Sequence, residues 1–396
     1  MRNTTTTPAP SRVWPPVLVT MLLLALATPV HARQSATVFR DARVFDGEAV
    51  HERTDVLVEN GRIARIGPRL EAPAGAVVVD AAGKTLLPGL IDAHTHTFGD
   101  GLQQAIIFGV TTHLDMFTDH RLVRQLRDEQ EAGNVAERAD IFSAGTLVTA
   151  PGGHGTQFGL PIPTIASPDS AQAFVDARIA EGAEWIKIIY DDGHAFGISF
   201  PSIDRATLRA LIEAAHRRGK LAVVHVSDGA SARAALEEGA DGLVHTFVDR
   251  EEGADFARLA AARGAFVIPT LTVLMSASGT PGGAALVDDA RLADWLHPAA
   301  RGMLTQGFPS TAGGSPARYD VARTTVAQLK AAGVPILAGT DAPNPGTAYG
   351  VAMHRELELL VDAGLTPTEA LAAATSVPAQ AFRLADRRRR APGLRA

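Results

Sequence analysis

Eight short apolar runs, separated by stretches of helical character, limit most strongly how this chain can fold. The spacing between consecutive runs leaves room for a helix each time. Alternating strands and helices favour a parallel sheet, and eight such units are the number found in a (β/α)8 TIM barrel. We therefore expect an α/β protein built on such a barrel. The runs lie at residues 86–91, 110–116, 141–148, 185–190, 221–226, 242–247, 265–271 and 335–339.

The stretch ahead of the barrel has the pattern of short strands joined by tight turns. Residues 55–59 and 62–67 flank Asn60-Gly61, a dipeptide that favours a two-residue hairpin turn. The sequence therefore predicts a small β unit followed by the barrel. The predicted domains are residues 33–86 for the N-terminal β unit, 87–385 for the barrel and 386–396 for a C-terminal remnant.

The first 32 residues have the features of a signal peptide. Arg2 and Arg12 supply positive charge, residues 17–27 form an apolar run, and small residues lead up to Ala32. We expect a periplasmic or secreted protein that is cleaved near Ala32. An uncleaved anchor is the alternative, although the proline-flanked run is short for a permanent membrane span.

Composition narrows the chemistry that is available to the chain. It contains no cysteine, which excludes disulfides, thiolate zinc sites and a cysteine nucleophile. Its net charge of −6 argues against nucleic acid or an anionic membrane as a partner. Any metal must therefore be held by histidine, carboxylate or a modified side chain.

Two histidines end the first apolar run, with one residue between them. Side chains alternate across a strand, so His94 and His96 point to the same side and can hold one metal ion. If this strand opens the barrel, both rings lie at the C-terminal mouth, where barrels of this kind keep their chemistry. Taken alone, the pair could equally be two polar residues at a strand end.

Four further polar residues stand within or after later apolar runs. Lys187 lies inside the fourth run, His225 and His245 end the fifth and sixth, and Asp341 follows the eighth. Each has a structural alternative, because a histidine can be satisfied in a core, an aspartate can cap a helix and a lysine can extend to the rim. Their coincidence with the histidine pair at one end of one barrel favours a shared site.

This set of residues resembles the amidohydrolase superfamily, in its binuclear-metal branch. Within that branch it is most similar to the imidazolonepropionase-like and Xaa-Pro dipeptidase-like members. The matching pieces are residues 88–96, Lys187, His225, His245 and residues 338–341, with softer matches at 109–112 and 367–378.

The resemblance implies roles for six residues of this chain. His94 and His96 would bind the more buried of two divalent ions, and His225 and His245 the more exposed. Lys187 would carry a carbamate that bridges both ions, since burial lowers a lysine pKa and exposes the neutral amine. Asp341 would bind the buried ion and act as the catalytic proton shuttle. Imidazole and carboxylate ligands suit Zn2+, with manganese, iron and cobalt as the alternatives.

The resemblance also implies an activity. The expected protein is an exported metal-dependent hydrolase that uses a metal-bridging hydroxide on an amide or peptide bond. Its substrate would be a small molecule of the dipeptide or N-acyl amino acid kind. Hydrolysis of a lactone, carbamate or cyclic amide on the same site is the alternative, as is an inactive remnant.

Two residues are predicted to contact the substrate. His154 lies in a glycine-rich loop after the third run and resembles the substrate-contacting histidine of the peptidase-like subgroup. Tyr190 follows the fourth run. The adjacent Asp191 and Asp192 either orient a cationic substrate group or form a solvated turn.

The sequence departs from the family pattern near its end. Relatives add strands that pair with the N-terminal β unit, and here residues 387–390 are four arginines instead. The resemblance therefore implies a β-sandwich that lacks its usual C-terminal strands. Because unpaired strand edges are exposed to association, we expect lower stability or a homo-oligomer that covers the edge.

Overall fold

The computed structural model describes residues 36–133, 137–309, 317–387 and 392–394. The predicted signal peptide lies outside the described residues, so export and cleavage stay predictions. Within these ranges, no helix combines the length and the apolar character that crossing a membrane requires.

The N-terminal part of the described chain is a five-stranded mixed sheet. Its two longest strands pair antiparallel, and the second continues into a hairpin through Asn60 and Gly61, whose φ angles are 52° and 72°. Two successive positive φ values are what the predicted hairpin turn requires. The strands are β1 (Ala36–Phe45), β2 (Val50–Glu59), β3 (Arg62–Gly67), β4 (Val77–Asp80) and β5 (Thr85–Leu86).

Residues 392–394 contact the outer edge of this sheet. The Ile63 N–H donates to the Leu394 carbonyl at 3.0 Å, and the Gly393 N–H donates to the Ile63 carbonyl at 2.8 Å. The Arg62 guanidinium also donates to the Gly393 carbonyl. The sequence did not predict this contact, which pairs the end of the chain with β3 through two backbone hydrogen bonds rather than through a strand.

The predicted barrel is confirmed. Its parallel strands form two hydrogen-bonded groups, and an eighth segment makes a β-bridge from Ile336 to Val267. Backbone hydrogen bonds join the groups, from Val148 N–H to the Lys187 carbonyl at 2.8 Å and from Ala93 N–H to the Ala338 carbonyl at 2.9 Å. The strands are β6 (Leu90–Thr95), β7 (Val110–Asp115), β8 (Asp140–Ser143), β9 (Ile186–Ile189), β10 (Ala222–His225), β11 (Gly242–Val244) and β12 (Phe266–Ile268).

Helices cover the outside of the barrel and bury its apolar strands. One of them begins with a capping box, in which Thr366 and Glu369 satisfy each other's backbone N–H groups. The helices are α1 (Gly101–Ile107), α2 (His120–Glu131), α3 (Ala171–Ala180), α4 (Arg205–Arg217), α5 (Gly229–Glu237), α6 (Gly253–Arg263), α7 (Leu271–Ala277), α8 (Pro298–Thr305), α9 (Tyr319–Ala331), α10 (Val351–Asp362), α11 (Pro367–Ala373) and α12 (Ser376–Ala381).

Candidate metal centre

The six residues that the sequence singled out meet at the C-terminal mouth of the barrel. They come from β6, β9 and β10 and from the residues that follow β11 and the eighth segment, so five separate parts of the chain supply them. All are buried except His96, whose side chain is 22% exposed. The set is His94, His96, Lys187, His225, His245 and Asp341.

Three of these residues form a compact inner group. His94, His96 and Asp341 each offer one donor atom, and these atoms lie within 4.8 Å of one another. The Oδ1 atom of Asp341 is 3.2 Å from Nε2 of His94 and 3.0 Å from Nε2 of His96. The two Nε2 atoms are 3.4 Å apart. The inner group therefore has the composition and spacing of a divalent-metal site.

The protonation of the inner group fits a cation. Nδ1 of His96 lies 3.2 Å from the Phe117 carbonyl, which can only accept, so Nδ1 carries a proton and Nε2 is the ring atom that faces Asp341. Burial lowers the pKa of His94 to about 3, which keeps its ring neutral. The buried Oδ1 atom of Asp341 faces both Nε2 atoms. Two imidazoles and a carboxylate that converge in this way suit a divalent cation.

His225 and His245 form an outer group beside the inner one. Their rings are 4.6 Å apart, and the His245 ring is 5.0 Å from that of His94. The Thr270 hydroxyl donates to the Pro269 carbonyl, so it accepts from Nδ1 of His245 at 2.6 Å. This leaves the Nε2 lone pair of His245 free, on the side where Asp341 lies 3.9 Å away.

The other outer ring is held by a buried carboxylate. Nε2 of His225 lies 3.1 Å from Asp191, and because a carboxylate only accepts, the ring proton is on Nε2 and Nδ1 is free. The Ser227 hydroxyl and the Gly193 N–H also donate to Asp191. Burial opposes ionisation here, but these donors hold the pKa of Asp191 below its usual range. Asp191 therefore fixes the orientation of His225.

Lys187 lies in β9 and acts on residues of both groups. Its side chain is buried, and it interacts electrostatically with His94 and His245. Burial lowers its pKa to about 7, although the charges of Asp341 and Asp115 oppose that shift. A substantial fraction of Lys187 is therefore a neutral amine near neutral pH.

Three residues at the mouth adopt a left-handed backbone conformation. The φ angles of His245, Thr270 and Asp341 are 68°, 52° and 58°. Each such residue costs about 1 kcal/mol, and such strain persists only where the surroundings enforce it. For Thr270 the enforcement comes from buried Glu356, which accepts the N–H groups of the next two residues. The left-handed residues end their strands at the mouth.

His154 lies beside the outer group, and its contact with substrate stays a prediction. Its ring stacks on that of His225 at 4.9 Å. Gln157 accepts from the Gly155 N–H through Oε1, so its Nε2 donates to Nδ1 of His154 and leaves the ring proton on Nε2. Burial and the nearby His225 lower the pKa of His154 to about 3. His154 is therefore a neutral ring with one N–H to donate.

The remaining candidates have different surroundings. Tyr190 is half-buried, and the charges that act on its hydroxyl are those of Arg205 and Asp228, so its contact with substrate stays a prediction. Asp192 is exposed and pairs with His194 at 2.5 Å, as expected of a solvated turn.

Sequence reasoning missed several residues of the site. The sequence predicts Asp191 to be either a substrate contact or a turn residue, and not the partner of His225. Thr270, Gln157 and Phe117 were not identified. One signal was available for Asp191, which follows a buried strand directly and lies four residues after Lys187. The others act through contacts that only the folded chain creates.

Comparison with known proteins places this geometry in a family. The model of the amidohydrolase family matches residues 85–387, and the chain belongs to that family. An imidazolonepropionase of Cereibacter sphaeroides is 28% identical over 396 aligned positions, which cover 90% of each protein. A dihydroorotase of Geobacter sulfurreducens is 49% identical over 67 residues, which are 17% of this chain and 16% of that enzyme.

Solved structures agree with the fold. A Xaa-Pro dipeptidase with methionine bound in its active site has a TM-score of 0.70 and 21% identity, covering 91% of this chain and 92% of that one. A protein from Bifidobacterium longum described as a prolidase has a TM-score of 0.72 and 26% identity, covering 91% and 87%. The predicted family is therefore confirmed, and the proteins that the chain resembles include an imidazolonepropionase and a Xaa-Pro dipeptidase, in agreement with the predicted subgroup.

Proposed function

We propose that this chain is an exported metal-dependent amidohydrolase that cleaves an amide or peptide bond in a dipeptide-like or N-acyl amino acid substrate. The observation that carries the proposal is the convergence of His94 and His96 on Asp341, with Nε2–Oδ1 distances of 3.2 and 3.0 Å, in a site that also contains the buried Lys187. Export rests on the sequence features of residues 1–32.

The donor set fits two divalent ions, with Zn2+ the ion that nitrogen and oxygen ligands suit well. His94, His96 and Asp341 would hold the inner ion. His225 and His245 would hold the outer one, and a carbamate on Lys187 would reach both. Ions bound in such a site lower the pKa of water towards neutrality and polarise a carbonyl group.

The residues of this chain supply proton transfer and orientation. Asp341 lies at the centre of the site, where it can accept the proton of the attacking water and return it to the leaving amine. His154 presents its Nε2–H beside the outer group and can donate to a carbonyl or carboxylate oxygen of the substrate.

The names of similar proteins bear on the substrate class. One structural neighbour is a Xaa-Pro dipeptidase with methionine in its active site, which supports a dipeptide-like substrate. The relative that aligns over 90% of the chain is an imidazolonepropionase, and this favours a cyclic amide as the second candidate. Lactones and carbamates need the same site geometry and belong in the same panel.

Metal analysis combined with a substrate panel tests the proposal. We expect two divalent ions per chain, turnover of Xaa-Pro dipeptides or N-acyl amino acids, loss of turnover on chelation and recovery with Zn2+. The His94→Ala variant should lose both metal and activity. The matched control is His216→Ala, which removes an exposed histidine on α4. A folded protein that binds no metal and hydrolyses no member of the panel would instead be an inactive remnant.

A further inference from the structure

A row of aromatic rings borders the metal centre on the side of the loops that follow β7, β8 and β9. The Phe117 ring is 6.3 Å from that of His96, and Phe158 is 6.4 Å from Phe117. The His154 ring is 5.7 Å from Phe158 and 5.3 Å from Phe200. We call Phe117, His154, Phe158 and Phe200 the aromatic wall.

Close backbone packing holds the wall in place. A Cβ atom on Gly153 would lie 2.8 Å from the Pro201 carbonyl oxygen, so the loop that carries His154 can approach the next loop only with glycine there. A Cβ atom on Gly193 would lie 2.7 Å from the Phe200 ring. The wall therefore depends on two glycines that let neighbouring loops meet.

The wall is apolar and in part exposed. Phe158 is 56% exposed, and the neighbouring Ile198 is 50% exposed. Phe117 is buried behind them, where it packs with Leu147 and Ile189. Exposed apolar side chains that cluster beside a candidate active site are typical of ligand contacts.

The wall also reaches both halves of the metal centre. Phe117 contacts the ring of His96 in the inner group, and His154 stacks on His225 in the outer group. A substrate whose scissile bond lies at the metal centre therefore extends along the wall. Three of the four wall side chains are phenylalanines, so the wall is mainly apolar.

We propose that the aromatic wall is a subsite that takes an apolar, preferably aromatic, side group of the substrate adjacent to the bond that is cleaved. Aromatic rings attract such groups by edge-to-face and offset stacking in addition to burial of apolar area. The inference rests on the proposed function and adds the substrate's side group to it.

Binding of small probes to the zinc-loaded protein tests the subsite. Isothermal titration would compare L-phenylalanine with L-alanine and phenylacetate with acetate, which differ only by an aromatic ring. In at least one pair, the aromatic probe should bind about tenfold more tightly to the wild type. The pair that shows the preference identifies the side of the scissile bond that faces the wall.

Alanine variants test whether the aromatic wall causes the preference for aromatic probes. Phe158→Ala and Phe200→Ala should reduce it to about twofold while leaving the weaker probe's affinity and the zinc content unchanged. The matched control is Ile107→Ala, which removes an exposed apolar side chain on α1 outside the wall. Equal affinities within both pairs, or a preference that survives both phenylalanine variants, would overturn the subsite.

Turnover measured on the panel separates this proposal from the proposed function. Aromatic preference in binding with no hydrolysis of any panel member supports the subsite and contradicts the activity. Hydrolysis with no aromatic preference supports the activity and overturns the subsite.

Discussion

The inner and outer halves of the metal centre are built in different ways. The inner ligands come from β6 and the eighth segment, which are bonded directly through the Asp341 N–H and the His94 carbonyl at 2.8 Å. Buried Asp92 ties the same two segments by accepting from the N–H groups of His94 and Thr340. Backbone pairing and one buried carboxylate within β6 thus assemble the inner half.

The outer half depends instead on side chains that are not ligand candidates. Asp191 fixes the ring of His225, and Thr270 fixes that of His245. The difference teaches that the inner half is a local feature of paired strands, whereas the outer half needs support from neighbouring loops. Changes to the inner half should therefore abolish activity, while changes around the outer half should weaken metal binding in steps.

The largest effect is expected from Asp341→Asn, which keeps the size of the side chain but removes its charge and its basicity. We expect kcat/KM to fall about a thousandfold, since a positioned general base contributes about that much. Asp192→Asn is the matched control, because that carboxylate is exposed and pairs with His194. An Asp341→Asn enzyme within tenfold of wild-type activity would contradict the assignment of proton transfer to Asp341.

Lys187→Ala tests whether the two halves are joined. The proposed carbamate supplies oxygen to both ions, so its loss should empty the outer site first and lower kcat/KM about a hundredfold. Metal content per chain and kcat/KM, measured with added Zn2+, check the prediction. Two ions per chain and wild-type turnover in this variant would show that Lys187 is not a ligand of the metal centre.

This contrast also explains what could be predicted from the sequence. The barrel follows from the apolar runs, and the six polar residues are recognised by their places within or after those runs, both of which are local; their roles as ligands are what the resemblance implies. The sequence does not indicate Thr270. Its role depends on the hydrogen bond that its hydroxyl donates to the Pro269 carbonyl and on the left-handed backbone that Glu356 enforces. Gly393 bonds to Ile63 of β3, which lies 330 positions earlier in the sequence. A local sequence pattern cannot predict a contact over that separation.

Asp191→Asn sharpens the comparison from the outer side. The variant lacks the charge-assisted hydrogen bond that keeps the ring proton of His225 on Nε2. The new amide group can also donate to His225, which would move that proton to Nδ1. We expect affinity for the outer ion to fall about 10- to 100-fold while the inner ion stays bound. Zinc titration with a competing chelator measures both affinities. Equal weakening of the two ions would show that Asp191 supports the fold rather than His225.

The pH at which metal-free protein is reloaded tests the state of Lys187. Its pKa of about 7 lies below the ordinary value of 10.5, so the neutral amine predominates above pH 7 and is lost below it. With zinc and bicarbonate supplied, the rate of reactivation should fall about tenfold per pH unit below 7. The same titration on Lys187→Ala is the control. A rate that does not change between pH 5 and pH 7 would rule out the neutral amine as the reacting form.

Thr270→Val should produce the smallest effect, because it removes a neutral hydrogen bond rather than a charge-assisted one. The variant keeps the shape of the side chain but leaves Nδ1 of His245 without its acceptor at 2.6 Å. Because neutral hydrogen bonds have about half the strength of charge-assisted ones, the outer ion should weaken by less than about tenfold. Zinc titration beside Asp191→Asn checks the order of the two variants. If Thr270→Val weakened the outer ion more than Asp191→Asn did, the outer half would depend mainly on the strained backbone at Thr270 and not on the carboxylate of Asp191.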